Sequence, residues 1–184
     1  MTRVIGLAGW SGAGKTTLLG KLIPLLVSRG VAVSTLKHAH HAFDVDVPGK
    51  DSHNHRMAGA SEVLVSSGRR WALMHELRDE PEMALAALLA KLSPVDLIIV
   101  EGFKTEPHPK FEVFRAPNGK PPLHVGNPSF IAVASDVPFS SAGRPVVGLD
   151  DIEAIAGLAL AFAEPVADVL AKLARDDGHG PTHG

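Results

Sequence analysis

The chain has 184 residues, of which 45% are hydrophobic and 21% charged, and its net charge is -2. That is chain enough for one domain with a sizeable core. The charge balance excludes the strongly basic field of a nucleic-acid binder. The absence of cysteine excludes disulfides, thiolate metal sites and a cysteine nucleophile. No apolar run reaches the ~18 residues of a membrane span, and the first residues run straight into a strand with no room for a signal peptide. A soluble cytoplasmic protein is the expectation.

In chain order, Val4–Ala8 is a short apolar run bounded by Gly9, the pattern of a buried parallel strand. Lys15–Arg29 carries Leu18, Leu19, Leu22, Ile23 and Leu26 at helical spacing, with Pro24 inside it and Gly30 to stop it. Val31–Leu36 is a second strand, and strand–helix–strand implies a right-handed parallel crossover. A polar stretch through His38, His40, His41, Asp44 and Asp46 precedes a short helix capped by Asp51 or Ser52 and ended by Gly59. Ser61–Ser66 and Arg70–Met74 are two adjacent strands that can form a hairpin. Glu82–Leu92 is Ala/Leu-rich and predicts a helix, and Asp96–Gly102 is the clearest strand, apolar on both faces and acidic at its end.

Six prolines between Pro107 and Pro128 make that region mostly loop, with one strand at Phe111–Phe114. Strands follow at Phe130–Ala134 and Pro145–Leu149. Asp150 or Asp151 then caps a closing helix, Ile152 to about Arg175, punctuated at Pro165. The whole predicts an α/β fold, a P-loop nucleotide-binding domain over residues 1–175 with a mostly parallel sheet covered by helices on both faces. Residues 176–184, a Gly/His/Pro tail, are expected to be disordered.

The chemistry concentrates in Gly9–Thr16, G-W-S-G-A-G-K-T, which satisfies G-x-x-x-x-G-K-[ST] between a predicted strand and a predicted helix. Gly12 and Gly14 let backbone N–H groups turn around phosphate oxygens without side-chain clashes, and the helix N-terminus adds partial positive charge. Ser11, Gly12, Ala13, Gly14, Lys15, Thr16 and Thr17 are therefore the expected phosphate-binding residues. Lys15 would reach the β- and γ-phosphates, the Thr16 hydroxyl would ligate Mg²⁺, and Thr17 would meet the α-phosphate. Such a loop needs a second acid for the metal, ordinarily at the end of a neighbouring apolar strand. Glu101 fits, with Glu in place of the commoner Asp, so Lys15 and Glu101 are the expected catalytic pair and Thr16 and Glu101 the expected metal ligands.

Lys50, Arg56 and especially Lys104 are further phosphate-binding candidates. If the second strand continues, His38 and His40 share one face and could chelate a metal, and Asp44 and Asp46 repeat that spacing with oxygen ligands. A nucleotide-facing loop is the competing reading of the same stretch. No intact [NT]-K-x-D is present to select guanine. Asp136, after the strand Phe130–Ala134, could supply the base-binding Asp alone, so GTP and ATP are not separated by the residues themselves.

The segments AGWSGAGKTTLL, LKHAHHAFDVDVPGKDS, RMAGA, RRWALMHE, VEGFK and IAVASD occur in an order that resembles the molybdopterin-guanine dinucleotide biosynthesis protein B (MobB) family of P-loop GTPases, from Met1 to about Asp151. The resemblance implies a homodimeric GTP-binding protein with weak GTPase activity. It would assist the guanylyltransferase that joins GMP to molybdopterin, with molybdopterin a further candidate ligand. It assigns the phosphates of GTP to Ser11–Thr17, Mg²⁺ to Thr16 and Glu101, and the guanine contact to Asp136, with His38–Asp51 as a switch-like or cofactor-facing loop. The histidines are not assigned as metal ligands. The alternatives are a nickel-type metal-insertion GTPase, which the histidines favour and the missing cysteines disfavour, and a small-molecule kinase, which would want an Arg-rich lid beyond Arg69-Arg70. Trp10 stands where ParA-type ATPases carry a second lysine. With no arginine evident in cis, hydrolysis is expected to be slow.

Overall fold

The structure, a computed structural model, describes residues 1–39, 43–139 and 142–176. Its contacts divide the chain into two compact units, Met1–His38 with Leu85–Gly184, and Ala39–Ala84.

The first unit is built on a seven-stranded sheet. Its strands are β1 (Arg3–Ala8), β2 (Val33–Lys37), β5 (Leu97–Glu101), β6 (Lys110–Phe114), β7 (Phe130–Ser135), β8 (Val146–Gly148) and the two-residue β9 (Glu164–Pro165). They lie in the order β2-β5-β1-β6-β7-β8, all parallel, while β9 pairs antiparallel with the start of β1. Continuous apolar runs make this possible: Val4, Ile5, Leu7 and Ala8 of β1 and Leu97–Val100 of β5 are buried, as strands covered on both faces must be. The first strand–helix–strand unit is parallel as expected, but β5 is inserted between β1 and β2.

Two apolar clusters cover the sheet. The larger joins Leu18, Leu19, Leu22 and Leu26 of α1 (Lys15–Ser28) and Ile155, Ala156 and Ala159 of α4 (Ile152–Phe162) to Ile5, Leu7, Phe111 and Val113. The smaller joins Leu85 and Leu89 of α3 (Leu85–Leu89) and Val169 and Leu173 of α5 (Val166–Asp176) to Val4, Ile98 and Val100. Successive strand residues point to opposite faces, so Ile5 and Leu7 feed one cluster and Val4 the other. Asp151 caps α4 by accepting from the Ala154 N–H at 3.0 Å. The closing helix is interrupted at Ala163–Pro165, where the chain becomes extended and makes β9. The α3 helix is shorter than the Glu82–Leu92 expected, with Glu82 outside it and Ala90–Leu92 in a turn. α5 runs through Asp176, and residues 177–184 of the expected tail lie outside those described.

The second unit contains α2 (Asp51–Met57) and a two-stranded antiparallel sheet of β3 (Glu62–Ser66) and β4 (Trp71–His75). The hairpin pairs Leu64 with Leu73 and Ser66 with Trp71. Neither Asp51 nor Ser52 caps α2: Lys50 holds the N-cap position without a side-chain bond, and Asp51 falls in the first turn, where its charge suits the helix end. Arg56 is the hub of this unit. Its guanidinium bonds Asp44, Asp46 (3.2 Å) and Glu76 (3.0 Å), which raises its already high pKa through those carboxylate hydrogen bonds.

Candidate nucleotide-binding site

Parallel strands end on the same edge, and here Lys37, Glu101, Ala8, Phe114, Ser135 and Gly148 close the six main strands in one row. The loops that leave this edge form the crevice where ligands of α/β sheets collect. Gly9–Gly14 links β1 to α1 at the middle of the row. Gly12 and Gly14 have φ of 78° and 96°, left-handed values that a side chain would strain, and Gly14 is the N-cap of α1. Ser11, Ala13, Thr16 and Thr17 fill the remaining positions around the turn and the first turn of α1.

Lys15 folds back over this loop and donates to the carbonyls of Gly9 (3.0 Å) and Trp10 (3.1 Å). Burial lowers its pKa, the carboxylate of Glu101 opposes that shift, and Lys104 and Lys37 reinforce it. Three ammonium groups and one carboxylate thus share a field on the β5 side of the loop. Glu101 is buried, paired in register with Leu7 on one side and Lys37 on the other, and the Lys37 ammonium lies 3.8 Å from its Oε2. A cation therefore already faces this carboxylate. One carboxylate with the Thr16 hydroxyl suits Mg²⁺, which is held by one or two protein oxygens plus phosphates and water rather than by an all-protein cage. Among the described residues no group of three or more His, Asp or Glu side chains is placed to hold a metal.

After Glu101 the chain turns sharply. Gly102 has φ of 101°, and a Cβ there would come within 2.9 Å of the His38 Cβ. The next residue, Phe103, also has positive φ (46°), and its ring lies 4.9 Å from that of His38. His38 donates its backbone N–H to the Glu101 carbonyl at 2.9 Å. Lys104 places its ammonium 4.5 Å from the centroid of Trp10, a cation–π contact that holds it beside the loop.

On the other side of the loop stand two residues that sequence reasoning missed, together with the expected Asp136. Arg115, just past β6, donates from Nε to the Ala13 carbonyl at 3.4 Å. Asn118, in a 3₁₀ turn at Ala116–Asn118, donates to the Ser11 carbonyl at 3.1 Å. Asp136 lies near that turn and accepts from the Ala116 N–H at 2.9 Å. An open cleft of about 370 Å³ follows, lined by Ser135–Phe139 and Val146–Gly148. Its Phe139 ring packs edge-on against Phe114 and His124.

A buried acid braces this flank. Glu112 of β6 is fully buried and accepts from the N–H groups of Leu123 (2.7 Å) and His124 (3.0 Å) and from His124 Nδ1 (2.6 Å). It fixes the proline-rich loop whose Pro121 carbonyl takes the Trp10 indole N–H at 2.8 Å. Glu112 sits in an F-E-V-F strand with no motif to announce it.

Of the remaining candidates, Asp44 and Asp46 are engaged by Arg56 within the Ala39–Ala84 unit. His40 and His41 lie outside the described residues.

Residues 4–136 match the model of the family described as molybdopterin guanine dinucleotide synthesis protein B, MobB. The chain is 48% identical over 162 residues to the molybdopterin-guanine dinucleotide biosynthesis adapter protein of Escherichia coli (strain K12), covering 86% of this chain and 90% of that one. It is 39% identical to the protein so described in Haemophilus influenzae, covering 83% and 85%. A solved structure of molybdopterin-guanine biosynthesis protein B superposes with a TM-score of 0.68 at 25% identity, over 86% of this chain and 98% of that one. With the family model spanning most of the chain and two relatives covered nearly end to end, the chain belongs to the molybdopterin guanine dinucleotide synthesis protein B family.

Proposed function

We propose that this chain is a GTP-binding adapter with weak GTPase activity, which assists the guanylyltransferase that joins GMP to molybdopterin. The observation that carries the reading is the pairing of Leu7 with Glu101, which sets a buried acid one strand away from a glycine-rich loop topped by Lys15. A Mg²⁺-bound triphosphate brings roughly two net negative charges, which suits the surplus of Lys15, Lys37 and Lys104 over Glu101. In that complex Thr16 and Glu101 hold Mg²⁺, Ser11–Thr17 hold the phosphates, and Asp136, at the mouth of the cleft, meets the guanine edge. The adapter descriptions of the Escherichia coli and Haemophilus influenzae relatives support the pathway.

Slow hydrolysis follows from the charge layout. The cations on the Glu101 side are lysines with flexible stems, and Arg115 stands on the opposite side of the loop, away from a terminal phosphate. Unassisted turnover is expected well below the ~1–100 per second of kinases.

Homodimerisation is supported by one face of the β3–β4 hairpin. Leu64, Leu73 and Trp71 share it through their pairing, and they are 62%, 46% and 69% exposed. Sedimentation should give twice the chain mass, and a monomer mass at micromolar concentration would reject the dimer.

The function is tested by reconstituting guanylyltransferase, molybdopterin, GTP and Mg²⁺ with and without this chain. The guanine dinucleotide form should accumulate faster with it. An equal rate at every concentration of the chain would overturn the adapter role.

A further inference from the structure

The Gly9–Thr16 loop has two flanks of different chemistry, set by strand order. β5 and β2 bring Glu101, Lys37 and, just beyond, Lys104 to one side, while β6 and β7 bring Arg115, Asn118 and Asp136 to the other. A nucleotide threaded through the loop with its metal-bound phosphates toward Glu101 must direct its nucleoside toward β6 and β7. Nothing in the Walker-type motif or in the acid that completes it describes that second flank.

Arg115 is the chemically distinctive group there. Among the described residues only its Nε is engaged, by the Ala13 carbonyl, and its Nη2 would lie 3.2 Å from a Cβ on Gly14, so the guanidinium lies directly over the loop's last glycine. A second residue from the same turn, Asn118, clips Ser11, and its Oδ1 would lie 3.4 Å from a Cβ on Gly12. Asp136 pins the turn through the Ala116 N–H. Asp150 is held below the usual carboxylate range chiefly by its hydrogen bond to Lys21, with a smaller contribution from the positive field of Arg115. One bond to Ala13 holds the arginine, Asn118 and Asp136 hold the turn that follows it, and Asp136 also lines the open cleft of Ser135–Phe139 and Val146–Gly148.

We propose that Arg115 is a ligand-binding residue of this site that contacts the nucleoside, its guanidinium lying against the sugar and base face of a bound nucleoside triphosphate. This rests on the reading that Gly9–Thr16 holds the phosphates. Guanidinium is suited to the task because it is planar, permanently charged and weakly hydrated, and it stacks on aromatic faces. The glycines at positions 12 and 14 then serve two purposes, left-handed backbone and room for Asn118 and Arg115. The arrangement also separates roles: the lysines read terminal phosphates, and the arginine reads what is attached to them.

The test compares two ligands in the presence of Mg²⁺, GTP and inorganic tripolyphosphate, by titration calorimetry on the full chain. Arg115→Ala should weaken GTP about 10-fold, the size of one desolvated cation–π contact, and leave tripolyphosphate unchanged, which also shows that the variant is folded with its loop intact. If the alanine variant unfolds, Arg115→Gln, which keeps a donor for Ala13 but loses the guanidinium face, should show the same split. GTP affinity equal to wild type overturns the proposal, as does an equal loss for both ligands in a folded variant, which would make Arg115 a brace for the loop. Wild type binding neither ligand would take down the phosphate-loop reading and this proposal with it.

Discussion

The two flanks of the Gly9–Thr16 loop are built by different means. The Glu101 flank is assembled from strand ends and the residues just beyond them: Lys37 closes β2, Glu101 closes β5, and Lys104 follows after a turn with φ of 101° and 46° at Gly102 and Phe103. Its side chains meet through charge, with the Lys37 ammonium 3.8 Å from Glu101 Oε2. The Arg115 flank is assembled from loops tied by hydrogen bonds to backbone, with Ala13, Ser11 and Ala116 each bonded to a side chain. The first arrangement leaves charge available for a polyanion. The second spends its polar atoms on shape. A bound nucleotide needs both, neutralisation at one end and a formed wall at the other.

Both flanks share β1 as a floor, and the largest predicted effect comes from disturbing it. A Cβ on Gly6 would lie 2.5 Å from His108 Nε2 and 2.6 Å from Lys110 Cβ, neither of which is the free end of an exposed chain. Gly6→Ala should therefore cost about 3 kcal/mol, the upper range for overpacking, seen as a lower denaturation midpoint. A variant as stable as wild type would show that β1 and the start of β6 are farther apart than described.

Glu101→Gln breaks one flank only. It removes the carboxylate proposed to hold Mg²⁺ and leaves Arg115, Asn118 and Asp136 untouched. Mg²⁺ affinity in the presence of GTP should fall roughly 10–100-fold, while the difference between GTP and tripolyphosphate persists. A loss of that difference would mean the flanks are not separate.

A further effect lies beneath both flanks and is read as a pH slope. His108 is buried with neither ring nitrogen bonded among the described residues, and burial, with the Lys110 charge behind it, pushes its pKa down to about 3. Below its ordinary 6.5 the unfolded chain takes up a proton that the folded chain refuses. Stability is therefore lost as pH falls from 6.5 toward 3, by at most about 1.4 kcal/mol per pH unit from this group. Burial likewise lowers Lys110 to about 8 from 10.5, so stability should rise as pH climbs through that interval. His108→Leu should flatten the acid limb and leave the alkaline limb in place, and an unchanged acid slope would contradict the buried neutral imidazole.

The difference between the flanks also explains what could be seen in the sequence. The loop and Glu101 are legible because their signals are local: glycines and lysine at fixed spacing, and an acid closing Leu97–Val100. The parallel sheet is legible for the same reason, since doubly buried strands leave continuous apolar runs. Arg115 and Asn118 carry no such mark, because their partners Ala13 and Ser11 lie 102 and 107 residues away. Asp136 was expected as a base contact, and its bond to the Ala116 N–H gives it a second task no local pattern suggests. Glu112 is hidden similarly, its burial offset by two backbone N–H groups and a histidine from a loop 11 and 12 residues on, a bond set that only the fold creates. Helix limits were the weakest expectation. The α3 helix lost its ends because Ala and Leu favour a helix without specifying where it stops, and α2 begins at Asp51 behind an N-cap, Lys50, that makes no side-chain bond.

The central claim is that this loop grips the phosphates of GTP, and Lys15 is its most direct test, since the Lys15 ammonium is held over the loop by the Gly9 and Trp10 carbonyls. Titration of wild type and Lys15→Ala with GTP in Mg²⁺ should give one site per chain in the first and no measurable binding in the second, with identical thermal unfolding. A Lys15→Ala chain that binds GTP as tightly as wild type would contradict the account.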